Sequence, residues 1–407
     1  MPKDYSPFTP GRPVPAQQFV GRATEVERLR RATAAAVATG RVQVAFLEGE
    51  RGIGKSSLAS LIQAIAGRDP RMLGIHSFLG GVSSLEDMAQ RIFDRLLQES
   101  AGQSWHERIK ALFGDHVKQV GLFGVSMTFA APRRDLKQLV HHFAPALRNL
   151  LAALREQHRG ILLVLDDING LADSAAFANW FKSFVDEVAT AREPLPVCIL
   201  LVGLQERRYS LAALQPSLTR VLDPIEIRPW PALETREFFS SAFAKAGCSV
   251  EPDALEILVS FAGGLPVLAH EIGDAVFQAD TNDTIDTDDA MNGVFAAADI
   301  VGRKHLEPRV FQAIRSDRYR SILQTLAAPF EFQFKRSDLL PPLGADEARV
   351  FDSFLRRMKE LGVIQADPDG GRGGYRFDNR IHHLYICIEM RAAMGRRGRV
   401  TAGGPGT

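Results

Sequence analysis

Five apolar runs, separated by segments with helical spacing, fill the first part of the chain. The strand-like runs lie at residues 42–47, 72–80, 160–167, 197–204 and 225–227. Helical patterns lie at residues 24–39, 57–66, 84–98, 135–156 and 175–189. Residues 161–165 are apolar without interruption, which indicates a strand covered on both faces, as in a parallel sheet. The alternation predicts a doubly wound α/β domain, with a hairpin inserted near residues 118–130.

Strand patterns stop after Pro231, and helical patterns follow. They lie at residues 233–246, 253–262 and 266–278, with a polar segment at 279–288. Helical patterns at 318–327, 335–340 and 346–361 then precede short strand-like segments at 363–364 and 375–377, joined by a Gly/Asp loop at 367–374. Three helices followed by a β-hairpin is the order of a winged helix. The sequence therefore predicts an α/β parallel-sheet domain, a small helical lid domain and a C-terminal winged-helix domain.

Five segments are expected along the chain. Prolines at positions 2, 7, 10, 13 and 15 predict an extended arm over residues 1–18, because proline disfavours a helix there. The segments expected after the arm are an α/β domain at 19–230, a lid at 231–300, a winged helix at 301–395 and a flexible Gly- and Arg-rich tail at 396–407.

Composition narrows the class of protein. Hydrophobic residues make up 45% and charged residues 24% of the 407 positions, which is typical of a soluble globular protein. No apolar run is long enough to span a bilayer, and a signal segment is lacking, so no membrane association is expected. Three scattered cysteines favour a reducing cytoplasm. The net charge of +1 gives no overall attraction for nucleic acid, so any basic surface must be local.

Residues 49–56 read Gly-Glu-Arg-Gly-Ile-Gly-Lys-Ser, a complete G-x-x-x-x-G-K-S/T phosphate-binding loop. The loop lies between a predicted strand and a predicted helix, where loop N–H groups and a helix N-terminus together bind anions. Lys55 can reach the β and γ phosphates, and Ser56 can ligate Mg²⁺. We therefore expect ATP and Mg²⁺ as cofactors. The residues expected to contact the nucleotide here are Gly49, Glu50, Arg51, Gly52, Ile53, Gly54, Lys55, Ser56 and Ser57.

Two acids, Asp166 and Asp167, end the apolar strand at 160–167. Ligands of open α/β sheets bind at the carboxyl ends of the strands, so carboxylates belong there. Asp166 is the candidate Mg²⁺ acid, and Asp167 is the candidate base or water-orienting group. The alternative is that both acids only cap the end of the strand.

Two further residues are candidates for catalysis. Gln205 follows the next buried strand, where it could sense the γ phosphate, with Arg207 and Arg208 as alternates. Arg220 precedes the last strand, at the position from which ring-forming ATPases extend an arginine into a neighbour's site. At each position the alternative is an exposed side chain that has no role in catalysis.

The ordered motifs resemble those of the AAA+/STAND region of P-loop ATPases, close to archaeal-type ATPases and origin initiators. The resemblance spans residues 15–390 and is carried by the following segments: Phe19-Val20-Gly21-Arg22, the phosphate-binding loop, Leu165-Asp166-Asp167, the Gly263-Gly264-Leu265-Pro266 turn, and Tyr375-Arg376-Phe377-Asp378-Asn379 with Leu384-Tyr385. The resemblance implies nucleotide contacts from Val20, Gly21 and Arg22.

The Gly-Gly-Leu-Pro turn and the acid pair both depart from the usual AAA+ pattern. Pro266 fits the first turn of a helix that could face the nucleotide, although a purely structural turn fits as well. Leu265 and Pro266 stand where the second-sensor arginine is usual, and Asp-Asp replaces the usual Asp-Glu. Since the shorter acid reaches less far, we expect slow hydrolysis and a nucleotide-controlled switch.

Partners are expected at the C-terminal module. Residues 317–399 hold 15 Lys and Arg against 11 Asp and Glu. The segment 346–361 is the candidate recognition helix, with basic residues at Arg349, Arg356, Arg357 and Lys359, and the wing adds Arg372 and Arg376. These residues suit duplex DNA, but Asp346, Glu347, Asp352 and Glu360 share the helix, so a protein partner is the first expectation and duplex DNA the alternative.

Three functions remain open from the sequence. The first is an ATP-hydrolysing switch that controls assembly with a partner protein and forms a homo-oligomer through Arg220. The second is a DNA-binding ATPase of the initiator or transposition-regulator type. The third is a non-catalytic scaffold that holds ADP.

Overall fold

The computed structural model describes residues 5–16, 19–69, 71–99, 114, 117–120, 126–154, 156, 158–314 and 316–402. The chain divides into two compact units. One is Pro13–Arg228, and the other combines Met1–Arg12 with Pro229–Thr407.

The unit Pro13–Arg228 is built on a five-stranded parallel sheet and an inserted hairpin. In chain order its strands are β1 (Gln43–Glu48), β2 (Met72–Phe78), β3 (Val117–Val120), β4 (Ser126–Phe129), β5 (Gly160–Asp166), β6 (Val197–Gly203) and β7 (Asp223–Glu226). The parallel sheet has the order β2-β5-β6-β1-β7, and β3 pairs with β4 as an antiparallel hairpin. Strands β5 and β6 lie inside the sheet and are buried along their whole length, as their uninterrupted apolar sequences predict.

Helices cover this sheet and complete the predicted doubly wound α/β fold, which is confirmed. They are α1 (Ala23–Thr39), α2 (Lys55–Arg68), α3 (Leu85–Glu99), α4 (Arg133–His141), α5 (Phe143–Ala153), α6 (Ala175–Thr190) and α7 (Gln205–Leu214). Short 3₁₀ turns lie at Ile168–Gly170 and Pro216–Arg220.

The single helix expected at 135–156 is wrong, because α4 and α5 are separate helices that meet at His142. Pro145 is the cause. It has no N–H to donate to the carbonyl four residues earlier, and its ring crowds that carbonyl, so it opposes a helix that continues from the preceding turn. Within the first turn of α5 the missing donor costs nothing.

The other unit is mainly helical up to residue 311, with one short strand pair, and is mixed beyond it. Its helices are α8 (Ala232–Lys245), α9 (Pro252–Ala262), α10 (Pro266–Ala279), α11 (Thr287–Val301), a π-helical segment (Gly302–Phe311), α12 (Asp317–Ala327), α13 (Arg336–Leu339), α14 (Ala345–Glu360) and α15 (Arg380–Ala402). Its strands are β8 (Ser249–Val250), β9 (Thr284–Ile285), β10 (Gln333–Lys335), β11 (Ile364–Ala366) and β12 (Gly374–Phe377). Helices α12 to α14 and the three-stranded antiparallel sheet β10-β12-β11 follow the order expected of a winged helix.

Two segments differ from their expected character. The polar segment 279–288, expected as a loop, contains β9, which pairs in parallel with β8. Residues 396–402 of the expected flexible tail are helical, because α15 continues to Ala402. Once a helix is anchored, each further residue adds one hydrogen bond without a new nucleation cost. Residues 403–407 of that tail lie outside the described part of the chain.

The amino-terminal arm is anchored by Phe8. Its ring is 4% exposed and lies 5.8 Å from the ring of Phe238 and 5.0 Å from that of Phe243. The ring also lies against Gly273, where any side chain would collide with it. The Thr9 N–H donates to Nδ1 of His270 at 3.2 Å. An isolated Phe in a proline-rich segment gave no sequence signal for this packing.

Among the described residues, no helix is both long enough and apolar enough to cross a membrane.

Replacing Phe8 with Ala should lower the free energy of unfolding of the helical unit by about 3–5 kcal/mol, because the substitution empties an aromatic pocket. Chemical denaturation followed by circular dichroism measures the change. Tyr5→Ala is the matched control, since Tyr5 is 76% exposed and its loss should change stability by less than about 0.5 kcal/mol. Equal stability of the two variants would contradict the anchoring role of Phe8.

Candidate functional site

The loop between β1 and α2 depends on its glycines. Gly49, Gly52 and Gly54 have φ angles of 152°, 76° and 95°, a region that glycine adopts at little cost. A Cβ on Gly49 would lie 2.6 Å from the carbonyl oxygen of Ile227, so close approach also requires glycine there. Helix α2 begins at Lys55 directly after the loop. The first N–H groups of a helix have no intrahelical acceptor, so the loop and helix together present donors to an anion.

Lys55 lies across this loop. Its Nζ donates to the carbonyl oxygens of Gly49 at 2.7 Å and Glu50 at 2.6 Å. Burial lowers the pKa of the Lys55 ammonium, while the charges of Asp166 and Asp167 partly oppose that shift. The positive charge of Lys55 and the negative charges of Asp166 and Asp167 therefore interact within one site.

Asp166 is the last residue of β5 and is 1% exposed. Its Oδ2 lies 3.0 Å from Nε2 of His76 on β2, and its carbonyl accepts from the Leu79 N–H at 2.7 Å. Ser56 lies in the first turn of α2 and is half-buried. A carboxylate and a hydroxyl are hard oxygen donors of the kind that Mg²⁺ prefers, so the residues present fit that ion.

Asp167 is exposed and has a left-handed backbone, with φ 56° and ψ 55°. Its Oδ1 accepts a hydrogen bond from the side-chain amide of Asn169, and Asn169 Oδ1 accepts from the Leu204 N–H at 3.2 Å. A Cβ on Gly80, just beyond β2, would lie 3.0 Å from Asp167 Oδ2. Asp167 thus lies where the carboxyl ends of β2, β5 and β6 meet.

Sequence reasoning missed Asn169. It is a polar residue within a turn that is otherwise apolar on its buried side, next to Ile168 and Leu171. A polar residue at this position could have indicated a functional role from the sequence. Only the strand order shows that Asn169 joins the residue after β5 to the residue after β6 by hydrogen bonds.

The residues after β6 point in different directions. Gln205 is exposed, and its amide lies 3.4 Å from the hydroxyl of Tyr209 on the same helix. Arg207 pairs with Asp173. Arg208 forms a bidentate pair with Glu48, with Nε–Oε2 at 2.6 Å and Nη2–Oε1 at 3.2 Å.

Glu48, also missed from the sequence, is the last residue of β1 and only 3% exposed. It immediately precedes Gly49, so the pair with Arg208 fixes α7 to the strand that carries the phosphate-binding loop.

The segment expected to contact the adenosine part packs on the same loop. Gly21 and Arg22 have φ angles of 72° and 63°. Arg22 is 6% exposed, and its guanidinium lies 3.4 Å from the Ile53 carbonyl oxygen. The structure therefore brings Arg22 of this segment to the loop. The Ser57 hydroxyl accepts from the Val14 N–H at 3.1 Å, which engages that side chain with the arm.

Arg220 and Pro266 belong to elements other than the loop, β5 and β6. Arg220 is exposed at the end of the 3₁₀ turn Pro216–Arg220. Pro266 is buried and begins α10 in the helical unit. The glycine turn before Pro266 packs against Trp230, whose N–H donates to the Gly264 carbonyl at 2.8 Å, so the turn has a structural role inside its own unit.

Comparison with known proteins supports an ATPase assignment. A model of the AAA ATPase domain matches residues 18–224. A Walker-type ATPase of Pyrococcus abyssi has a similar structure, with a TM-score of 0.55 and 17% identity, covering 95% of this chain and 99% of that one. The ORC2 protein of Aeropyrum pernix, solved in ADPNP–ADP complexes, gives a TM-score of 0.56 and 15% identity, covering 97% of each chain. No curated protein matches the sequence.

The matched domain occupies just over half of the 407 residues and contains the loop, Lys55 and the acid pair. This protein therefore belongs to the AAA ATPases, and it has the fold of the AAA+ P-loop ATPases that resemble origin initiators.

Proposed function

We propose that this protein is a Mg²⁺-dependent ATPase that turns over slowly and acts as a nucleotide-controlled switch for assembly with a partner protein. The family supports ATPase activity in general. The observation that carries the proposal is that the parallel sheet brings the phosphate-binding loop and the acid pair to one edge. On the intervening strand β6, Gly203 lies opposite Glu48 and Val202 lies opposite Asp166, and the charges of both acids act on the Lys55 ammonium.

Lys55 is the phosphate-binding cation. In this structure its ammonium donates two hydrogen bonds, to the neutral carbonyls of Gly49 and Glu50. A phosphate oxygen is a stronger acceptor because it is charged. ATP binding thus moves the ammonium from the loop carbonyls to the β and γ phosphates, while the loop and α2 N–H groups receive the remaining oxygens.

Ser56 and Asp166 hold the metal in this proposal, by a hydroxyl and a carboxylate oxygen. A bound Mg²⁺ supplies positive charge that neutralises the charge developing on the phosphates. In this proposal the residues at 20–22 contact the adenine and ribose, which the contact of Arg22 with the loop supports. The ORC2 complexes with ADPNP and ADP support adenine nucleotides as the ligands.

Asp167 orients the attacking water or accepts its proton. The Asp167 side chain is one methylene shorter than a glutamate and therefore reaches less far, and the Asn169 amide donates to its Oδ1. We infer that turnover is slow for this reason. Gln205 is the proposed γ-phosphate sensor. Its amide contacts the Tyr209 hydroxyl at 3.4 Å on the surface, and in this proposal the amide exchanges that contact for the γ phosphate.

A homo-oligomer is part of the proposal, with Arg220 reaching a neighbouring copy's nucleotide. Its exposure at the end of a 3₁₀ turn supports that role. Pro266 is kept as a contact to nucleotide from the lid domain. The three free cysteines support a reducing compartment such as the cytoplasm.

The surface of the expected recognition helix α14 favours a protein partner. Two of its arginines pair with acids on the same helix, Arg349 with Asp346 at 3.3 Å and Arg357 with Glu360 at 3.1 Å. Arg336 also reaches Asp352 on α14 at 2.9 Å. These pairs offset much of the positive charge that duplex DNA would need.

Duplex DNA remains the second candidate because Arg349 and Arg356 are exposed and seven residues apart, on one face of α14. The wing residues Arg372 and Arg376 would add phosphate contacts.

Lys55→Ala should weaken ATP binding by about 10- to 100-fold, because a charged hydrogen bond to phosphate contributes about 1.5–3 kcal/mol. Isothermal titration calorimetry with ATP measures the change. Lys245→Ala, at an exposed lysine of α8, is the matched control and should bind as the parent does. Equal ATP affinity in the Lys55 and Lys245 variants would refute the nucleotide site.

Asp167→Asn should leave ATP affinity within about twofold and lower phosphate release by about 10²-fold or more, since the amide cannot accept the proton of water. Asparagine also tolerates the left-handed backbone. A phosphate-release assay measures turnover, with Asp186→Asn as control because Asp186 is an exposed acid that pairs with Lys182 on α6. Normal turnover in the Asp167 variant would remove this residue from the mechanism.

The protein should show no duplex DNA binding in fluorescence anisotropy at low salt, with or without ATP. The alternative function predicts binding that falls steeply as salt rises, with a log–log slope of about −0.9 per phosphate contact. It also predicts a reduced slope in an Arg356→Ala, Arg357→Ala double variant. Salt-sensitive binding that depends on these arginines would favour the DNA-binding ATPase over the protein-controlled switch.

A further inference from the structure

His76 is a buried imidazole in contact with the proposed metal carboxylate. It lies near the middle of β2 and is 2% exposed. In the parallel pairing His76 lies opposite Val164 and Phe78 lies opposite Asp166. His76 and Asp166 are therefore two positions apart in register, on the same face of the sheet. Their side chains meet with Nε2 3.0 Å from Oδ2.

The other ring nitrogen of His76 contacts the helix that follows the phosphate-binding loop. The Ser60 hydroxyl lies 3.4 Å from Nδ1. Ser60 is one helical turn after Ser56, on the same side of α2. One imidazole thus connects the helix that carries Ser56 with the strand that carries Asp166, the two proposed metal ligands.

The orientation of the ring is fixed by these contacts and by stacking. The imidazole lies 4.4 Å from the Phe78 ring at an interplanar angle of 28°. A neutral ring with its proton on Nε2 satisfies both polar neighbours, because Nε2–H donates to the carboxylate while Nδ1 accepts from the serine hydroxyl. This hydrogen bond uses Oδ2 of Asp166. No hydrogen bond to Oδ1 of Asp166 is made by any of the described residues.

We propose that His76 is a positioning residue for the metal site, and this inference rests on the proposed nucleotide function. Its Nε2–H holds Oδ2 of Asp166 so that Oδ1 is presented to the metal, and Ser60 holds the ring in place. Partners of this kind fix the orientation of a ligand, and their loss typically costs about 10- to 100-fold in metal affinity or activity. Nothing in the sequence pattern of the loop or of the acid pair indicates this residue.

The test separates metal dependence from nucleotide binding and from folding. ATPγS affinity is measured by calorimetry in excess EDTA, and then as MgCl₂ is added, which gives the apparent affinity for Mg²⁺. His76→Phe keeps an aromatic ring beside Phe78 and removes the donor. It should lower the apparent Mg²⁺ affinity by about 10- to 100-fold and change the EDTA affinity by less than about twofold.

His76→Gln provides the rescue, because its Nε2 can donate from nearly the same place, and it should keep most of the Mg²⁺ affinity. Ser60→Ala removes only the outer contact and should give a smaller loss, of severalfold. His141→Gln, at an exposed histidine of α4, is the matched control and should behave as the parent.

The outcomes are distinct. Failure of the parent protein to bind ATPγS under either condition overturns the proposed function itself. Mg²⁺-enhanced binding by the parent, with the same enhancement in His76→Phe, overturns the positioning role and leaves the function in place. An equal loss with EDTA and with Mg²⁺ shows a structural role and also overturns it. If His76→Phe does not fold, Ser60→Ala decides, and a Mg²⁺ affinity equal to the parent's is the contrary result.

Discussion

The parallel alignment of five strands is the constraint on which the site depends. All five strands point the same way, so their carboxyl ends lie along one edge of the sheet. That edge gathers residues far apart in the chain: Glu48 and the loop after β1, Gly80 beyond β2, Asp166 and Asp167 after β5, and Leu204 after β6. Each strand contributes only one or two groups, and the sheet sets the spacing between them.

Charge at this edge is balanced mostly by short contacts inside the protein. The Glu48 carboxylate is removed from water and receives two hydrogen bonds from Arg208. A buried carboxylate without its partner would carry a large desolvation cost, so the pair makes the position of α7 dependent on the end of β1. Asp166 has the imidazole of His76 as its partner in place of an arginine. A single hydrogen bond to Oδ2 orients the carboxylate and leaves Oδ1 available to a cation.

How much of this could be read from the sequence depends on how local each feature is. The phosphate-binding loop is a contiguous motif, and the positions of its glycines predict where the backbone has a positive φ angle. The position of Asp166 required only the end of an apolar strand. The contacts of His76, Asn169 and Arg208 required the strand order and register, since each joins residues more than thirty positions apart. The break between α4 and α5 was readable from Pro145, but helical spacing on both sides concealed it.

The anchoring of Phe8 has a consequence for biosynthesis. Thr9, its neighbour, bonds to a residue 261 positions later in the chain. A ribosome releases the arm first and helices α8 and α10 much later, so the aromatic pocket does not exist while the sheet domain is being made. Phe8 and Thr9 must therefore stay unengaged until α8 and α10 have been made, although Val14 of the same arm can already bond to Ser57 in the sheet domain. Contacts of such long sequence separation are slow to form because the loop they close is large.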